Sequence, residues 1–346
     1  MIRSSINLLR ASNKINLNNT NRLFANSLLL NNGEKKSYFS TEVKVPIELI
    51  KELRVKTQSP VQECKKALQA SNNDIEKAVQ WLLEKGKATA EKLKTRVSAE
   101  GIVSILTSGN KGVILEMNSE TDFVSRGDIF RDLAQQISKA SLENSSAIVD
   151  GKNGVTDIAP TEVDKINPIK FDFVIEDTVE PMTVRDLIVR AVSKLRENIV
   201  LRRVSLVSSN SNNVVVSGYA HNPALADSTF GRLGAIVELE YEGECNDINA
   251  LKDFGKKIAT HIVAQSPSCV SVDDIAADII EDCKKNNKSV EKLYDDMVLL
   301  EQELLGSLSN EKVKDSLVTL SNKLGSKSIS IKSFRRYAIG ETADKL

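Results

Sequence analysis

From Pro46 to Gly86, apolar positions recur at three- and four-residue spacings, the period of an amphipathic helix. Three short segments carry the pattern. Pro46 opens the first, with Ile47, Ile50 and Leu53 on one face. Ser59, Pro60 and Gln62 have the spacing of an N-cap, a first-turn proline and a capping box, and predict a second helix with Val61, Cys64 and Leu68 inward. Asn73 and Glu76 repeat the signal ahead of a third helix, which turns Ile75, Val79, Leu82 and Leu83 inward and ends at Gly86, where a C′ glycine belongs. A unit of this size (45–86) has a marginal core and needs a surface to pack on. Residues 87–97 are charged and alanine-rich and predict a linker helix with a solvated face.

The period then changes, and the chain repeats itself. A first copy reads AEGIVSI from Ala99, then Gly112 and VILEMN, then FRDLAQQISKA from Phe130. A second reads VSGYAHN from Val216, then Gly234 and AIVELE, then LKDFGKKIATHIV from Leu251, with Asp132 and Asp253 in corresponding places. Short Val/Ile/Leu runs bounded by glycine predict hairpins backed by helices. The expected fold class is α+β. The three-helix unit precedes two similar subdomains with antiparallel sheets, at 98–207 and 208–346. Between the repeats, MTVRDLIVRAVSKLRENIVLRRVSLV predicts an amphipathic helix running into a strand at Ile199–Val207. Residues 275–325 predict a helical hairpin insertion, with Leu293, Met297, Leu300 and Leu304 at helical spacing. The alternating SISIKSFRRYAIGE predicts a closing strand in the second sheet.

Composition adds a leader and removes several function classes. The 346-residue chain has a formal net charge of zero, but residues 1–41 carry six basic side chains and one acid amid Asn, Ser and Leu. That is the composition of a mitochondrial transit peptide, with processing expected near Phe39–Thr41. No run approaches the length of a membrane span. Four scattered cysteines without a CxxC, and two histidines, assemble no metal-ligand spacing. The phosphate loop GxxxxGK[ST] and the motifs GxGxxG, GxSxG and HExxH are missing, so no catalytic or nucleotide-cradling constellation stands out.

One stretch is out of place. EMNSETDFVSR leaves a predicted strand and sets Asp122 beside Phe123, one of nine phenylalanines. Read alone, the pair is either a local cap of its own sheet or an anchor for a partner. The repeat argues for the second, because the equivalent strand AIVELE runs into YEGECND with no such pair.

The segments IKELRVKTQSPVQECKKALQASNNDIEKAVQWLLEKG, GVILEMNSETDFVSR, RENIVLRRV, GYAHN…GRLGAIVELE, HIVAQSPSCVSVDDI and FRRYAIGE resemble the translation elongation factor Ts family over residues 46–341. The resemblance implies a non-enzyme that binds the GTPase elongation factor Tu, here the mitochondrial one, and speeds release of its GDP. It implies that the three-helix unit is similar to ubiquitin-associated domains and docks on the partner's nucleotide-binding domain, with Lys51, Arg54 and Lys65 matching basic positions. Asp122 and Phe123 match a pair that enters between partner helices near the magnesium and phosphate site. Leu195 and Arg196 fall at a short contact loop, and His221 where a histidine touches the partner. No cofactor or metal, no direct nucleotide binding, and no nucleic acid or membrane partner is expected. The leader adds the mitochondrial matrix. Competing readings are a ubiquitin-binding adaptor built on 45–86 and a ribosome- or RNA-associated protein using LRRV and FRRY. The first lacks the expected loop after the first helix; the second is disfavoured by a charge of about −5 beyond the leader.

Overall fold

The computed structural model describes residues 43–341, except 149–153, 159–169, 176–177, 223–228 and 308. The expected leader lies outside the described residues. Val43 onward forms one compact unit. It begins with α1 (Ile47–Thr57), α2 (Val61–Ala70) and α3 (Ile75–Leu93). The first copy of the repeat follows as β1 (Glu100–Ser108), β2 (Lys111–Ser119), α4 (Asp122–Ser125) and α5 (Asp128–Glu143), with α6 (Ser145–Ile148) and β3 (Gly154–Ile158) after it. The connecting region holds β4 (Lys170–Ile175), β5 (Thr178–Thr183), α7 (Val184–Leu195) and β6 (Val200–Ser208). The second copy is β7 (Val214–His221), β8 (Phe230–Gly231), β9 (Leu233–Glu242) and α8 (Ile248–Gln265). Helices α9 (Ala277–Lys285), α10 (Val290–Met297) and α11 (Val313–Leu324) and strand β10 (Ser328–Ala338) complete the chain. The α+β class holds: among the described residues three sheets pair antiparallel, in the orders β3-β6-β2-β1-β8, β10-β9-β7 and β4-β5.

The two larger sheets stack face to face between helical layers. Val113, Leu115 and Met117 of β2 face α5 and α7, packing with Phe130, Leu133, Ile137 and Val192. Residues on the opposite face, Val103, Ile105, Ile114 and Val207, meet Val214, Val216, Ile236 and Tyr337 of the second sheet. The far side of the second sheet is covered by α8 and α11 through Leu251, Ile258, Ile262 and Leu317. The alternation of strand side chains therefore feeds three apolar layers at once. At Gly218 the sheets come so close that a Cβ would sit 2.6 Å from Cγ2 of Ile105.

Polar groups share this interface. Arg203 Nε donates to Glu116 Oε2 at 2.7 Å, both side chains being buried, and Arg203 Nη2 donates to the carbonyl of Ala338. The Arg203 guanidinium stacks 4.0 Å from the centre of the Tyr337 ring. Ser205 bonds to both Tyr337 Oη and Asp157, and Arg335 grips Asp157 at 2.7–2.9 Å. Burial acts to raise the Asp157 carboxyl, but the Arg335 and Ser205 hydrogen bonds outweigh it and hold it below the usual carboxylate range.

Several local expectations are corrected. The boundary expected at Gly86 falls inside α3, which runs on through most of the stretch expected to be a separate linker helix. Gly86 packs α3 onto α7, where a Cβ would lie 2.6 Å from Ser193 Oγ. Ile47 and Val61 are exposed rather than inward, and Leu49 joins Ile50, Leu53, Cys64 and Leu68 in the small core. Pro60, not Ser59, holds the N-cap position of α2, and Asp74, not Asn73, caps α3 by accepting from the Lys77 amide. Leu293, Met297, Leu300 and Leu304 do not share one helix. Instead, α10 stops at Met297 because Val298 bridges to Cys269, and the Leu299 and Leu300 amides turn to the carbonyls of Cys269 and Val270. Buried His261 secures this turn: its Nδ1 accepts from the Leu305 amide and its Nε2 bonds to Gln302 Oε1 at 3.0 Å. With Nδ1 an acceptor, Nε2 must carry the proton.

Replacing Glu116 by Ala strands the buried Arg203 charge, and chemical denaturation is expected to show a loss of about 3–5 kcal/mol. Burial holds the His261 imidazole below its ordinary value against the opposing Gln302 bond. The unfolded chain therefore takes up a proton at this site that the folded chain refuses, and stability falls as pH drops through about 6.5. Denaturation midpoints measured from about pH 7.5 to about 5.5 should decline, and His261→Gln should flatten that decline.

Candidate protein-interaction site

The site begins where β2 ends. Ser119 closes the strand, and Thr121 N-caps α4 with its hydroxyl accepting from the Val124 amide at 3.4 Å. Val124 and Ser125 turn inward to the core, so the one-turn helix throws Phe123 outward, with 84% of its surface exposed. Phe123 does not fold back onto its own sheet. Asp122 lies in the first turn, where a negative charge suits the helix N-terminus, and reaches Arg126 at 3.2 Å across exposed surface.

The loop after α7 lies against this turn. Leu195 ends α7, and Arg196 closes it in the left-handed conformation, φ 63°, its amide donating to the Val192 carbonyl. The next residue, Glu197, accepts from the Thr121 amide at 3.1 Å and from the Thr121 hydroxyl at 2.6 Å. In return Glu120 accepts from the Asn198 amide at 2.7 Å. Asn198 is tied in turn to the segment before β1, donating to the Arg96 carbonyl and accepting from Ser98. Between those two residues Val97 stands 82% exposed. The structure thus joins Asp122 and Phe123 with Leu195 and Arg196, although more than seventy residues separate them.

The three-helix unit adjoins this pair of loops. Lys194 Nζ donates to Gln58 Oε1 just beyond α1. On α2, a hydrogen bond from Lys85 holds the Glu63 carboxyl low, with further charge from Lys66 and Arg196. Lys51, Arg54 and Lys65 are all exposed. Lys51 and Arg54 share the solvent face of α1 with Ile47 and Val55, 65% and 61% exposed, and Lys65 stands one turn beyond the exposed Val61 on α2. Ile47 and Val61, expected in the core, are exposed, as are Val55 and Val97, for which the expected pattern gives no role. The signal was present: Leu49 and Leu53, one turn apart, already fill the inward face of α1, and the opposite face carries Ile47, Lys51 and Val55.

His221 ends β7, exposed, with Nδ1 3.0 Å from Tyr219 Oη. It pairs with Leu233, whose neighbour Arg232 bonds to Glu100, the residue opposite Ser119 on β1. His221 is thus linked to the Asp122 turn through the sheet edge. The arrangement is a mixed apolar and basic surface with one projecting ring, suited to protein recognition. Among the described residues, no group of three or more His, Cys, Asp or Glu side chains could hold a metal, and no helix is long and apolar enough to cross a membrane.

Comparison with known proteins gives a consistent result. A family model described as Elongation factor TS matches residues 120–341, beginning at the Asp122 turn. The chain is 56% identical, over the whole of both sequences, to "Elongation factor Ts, mitochondrial" of Dictyostelium discoideum. It is 42% identical to the protein of the same name from Heterostelium pallidum, covering 100% of this chain and 95% of the relative. It is 32% identical to "Elongation factor Ts" of Maricaulis maris, covering 86% of this chain and 92% of the relative.

Arg196 carries a side chain in a left-handed position that favours glycine. Arg196→Gly is expected to raise stability by up to about 1 kcal/mol in denaturant titrations, the gain offset in part by the freer unfolded glycine.

Proposed function

The chain belongs to the elongation factor Ts family of translation elongation factors, and on that premise we propose that it acts as a guanine nucleotide exchange factor for mitochondrial elongation factor Tu. The observation that carries this reading is the exposed Phe123 ring, held out from a capped turn between two bonded loops. Burying such a ring is worth about 1.5–3 kcal/mol, and the part realised only as the nucleotide leaves speeds its release. In the proposed mechanism the ring and Asp122 enter between partner helices near the magnesium and phosphate site. GDP is held there by Mg²⁺, backbone amides and a lysine. Displacing the elements that carry those groups weakens GDP without touching the base.

Exchange of this kind is a negative coupling between two ligands of the GTPase, and it is reciprocal. Nucleotide must weaken this protein's grip by the same factor by which the protein weakens nucleotide. The chain itself then needs no nucleotide site, cofactor or catalytic group, and it is not an enzyme in this scheme. Lys51, Arg54 and Lys65, with Ile47, Val55 and Val61 between them, form the face that docks on the nucleotide-binding domain, in the manner of a ubiquitin-associated helical unit. Leu195, Arg196 and His221 flank the wedge. The basic, acid-poor leader and the mitochondrial names of two of the relatives above support action in the mitochondrial matrix.

Fluorescent GDP loaded on mitochondrial elongation factor Tu tests the scheme by stopped flow. Phe123→Ala should slow the maximal stimulated release roughly ten- to hundredfold, the range that the loss of one buried ring supplies. Affinity should fall less, because the flanking contacts remain. Wild-type release by a folded Phe123→Ala protein would remove the wedge role.

A further inference from the structure

We propose that Glu197 is the positioning residue for Phe123, and that Glu120 and Glu197 form a reciprocal clasp making residues 120–123 and 195–198 one rigid contact element. The inference rests on the wedge reading above and adds what holds the wedge in place. Each loop supplies a carboxylate to the other's backbone: Glu197 takes the Thr121 amide and Glu120 takes the Asn198 amide. Charge-assisted bonds of this kind are stronger than neutral ones. Asn198 is buried and fastened to Arg96 and Ser98, so the clasp is anchored on the sheet side as well.

The chemistry at Thr121 explains why an acid suits position 197. The Thr121 hydroxyl has two partners, donating to Glu197 Oε1 and accepting from the Val124 amide. A hydroxyl has one proton. A carboxylate can only accept, so it draws that proton to itself and leaves a lone pair facing the Val124 amide. Glu197 therefore fixes the N-cap of α4, and α4 fixes the direction of Phe123. A helix of four residues has almost no stability of its own, so its geometry depends on the cap and on buried Val124. The second copy of the repeat again serves as a control. There β9 runs through Gly243 to α8, whose N-cap is its own Asp247, with no short helix between them. The clasp belongs to the copy that carries the ring.

The experiment compares full-length wild type with Glu197→Ala, Glu197→Gln, Phe123→Ala and the Glu197→Ala/Phe123→Ala double variant. Two readouts are used: stopped-flow GDP release as a function of factor concentration, and amide hydrogen exchange. Glu197→Ala should lose exchange protection at Thr121 and Val124 while the sheets keep theirs. Its maximal release rate should fall roughly tenfold, the scale of a misplaced contact group, with the half-saturating concentration shifted about twofold or less. Glu197→Gln, which keeps one acceptor, should fall between. The double variant should be no slower than Phe123→Ala, because the clasp acts through the ring. Glu197→Ala that loses protection yet releases GDP at the wild-type rate, with Phe123→Ala slow, overturns the clasp and leaves the wedge. Phe123→Ala at the wild-type rate overturns the wedge and the clasp's role with it. Should Glu197→Ala fail to fold, Thr121→Val removes the same hydroxyl link and carries the same expectation, with Thr121→Ser restoring it.

Discussion

The stacking of the two sheets rests on a buried charge pair. Glu116 and Arg203 sit on neighbouring strands of the first sheet, facing the second, and both are buried. Desolvating two ions is costly and is recovered only when their remaining hydrogen-bonding groups are also matched. Here the matching comes from β10 and the residues just after it: the Ala338 carbonyl accepts a hydrogen bond from Arg203, the Gly340 amide donates to Glu116, and the Tyr337 ring covers the guanidinium. The first sheet thus has its charges satisfied in the register that the closing strand β10 provides. These polar contacts add to the positional constraint that the close apolar packing at Gly218 and Ile105 already imposes.

That constraint reaches the candidate site along the chain. Glu116 lies three residues before Ser119, where β2 ends and the Asp122 turn begins. Arg203 lies on β6, five residues beyond Asn198. The strands locked by the ion pair are therefore the two that deliver the clasped loops, and both loops leave the sheet from a fixed base. Asp157, Ser205 and Arg335 continue the same polar belt, and burial pushes the Tyr337 phenol far above its ordinary value, so the belt keeps one protonation pattern near neutral pH. Rigid strands carrying short loops are an economical way to project a ring into solvent without letting it collapse onto the fold.

The three-helix unit joins the same construction by a different route. Because α3 runs past Gly86 without interruption, it carries its own small core directly onto α7, and the Lys194–Gln58 bond ties the end of α7 to the end of α1. The basic and apolar face of α1 and α2 is thereby held beside the 195–198 loop. A hinge at Gly86 would have separated the two surfaces.

Much of this was legible in the chain as written. The 3.6-residue and two-residue periods located the helices and strands of both repeat copies, because side-chain alternation follows from backbone geometry alone. The missing Asp–Phe pair in the second copy marked the loop that differs. The repeat and the quoted motifs carried the family resemblance. Other features could not be read locally. Whether Gly86 ends a helix or lets two helices touch depends on Val189 and Ser193, a hundred residues away. Whether the run through Met297 stays helical depends on a bridge to Cys269. That Glu120 and Glu197 answer one another, and that Glu116 meets Arg203, depends on strand register, which is a property of the assembled sheet. Periodicity states which face a residue takes; only packing states what that face meets.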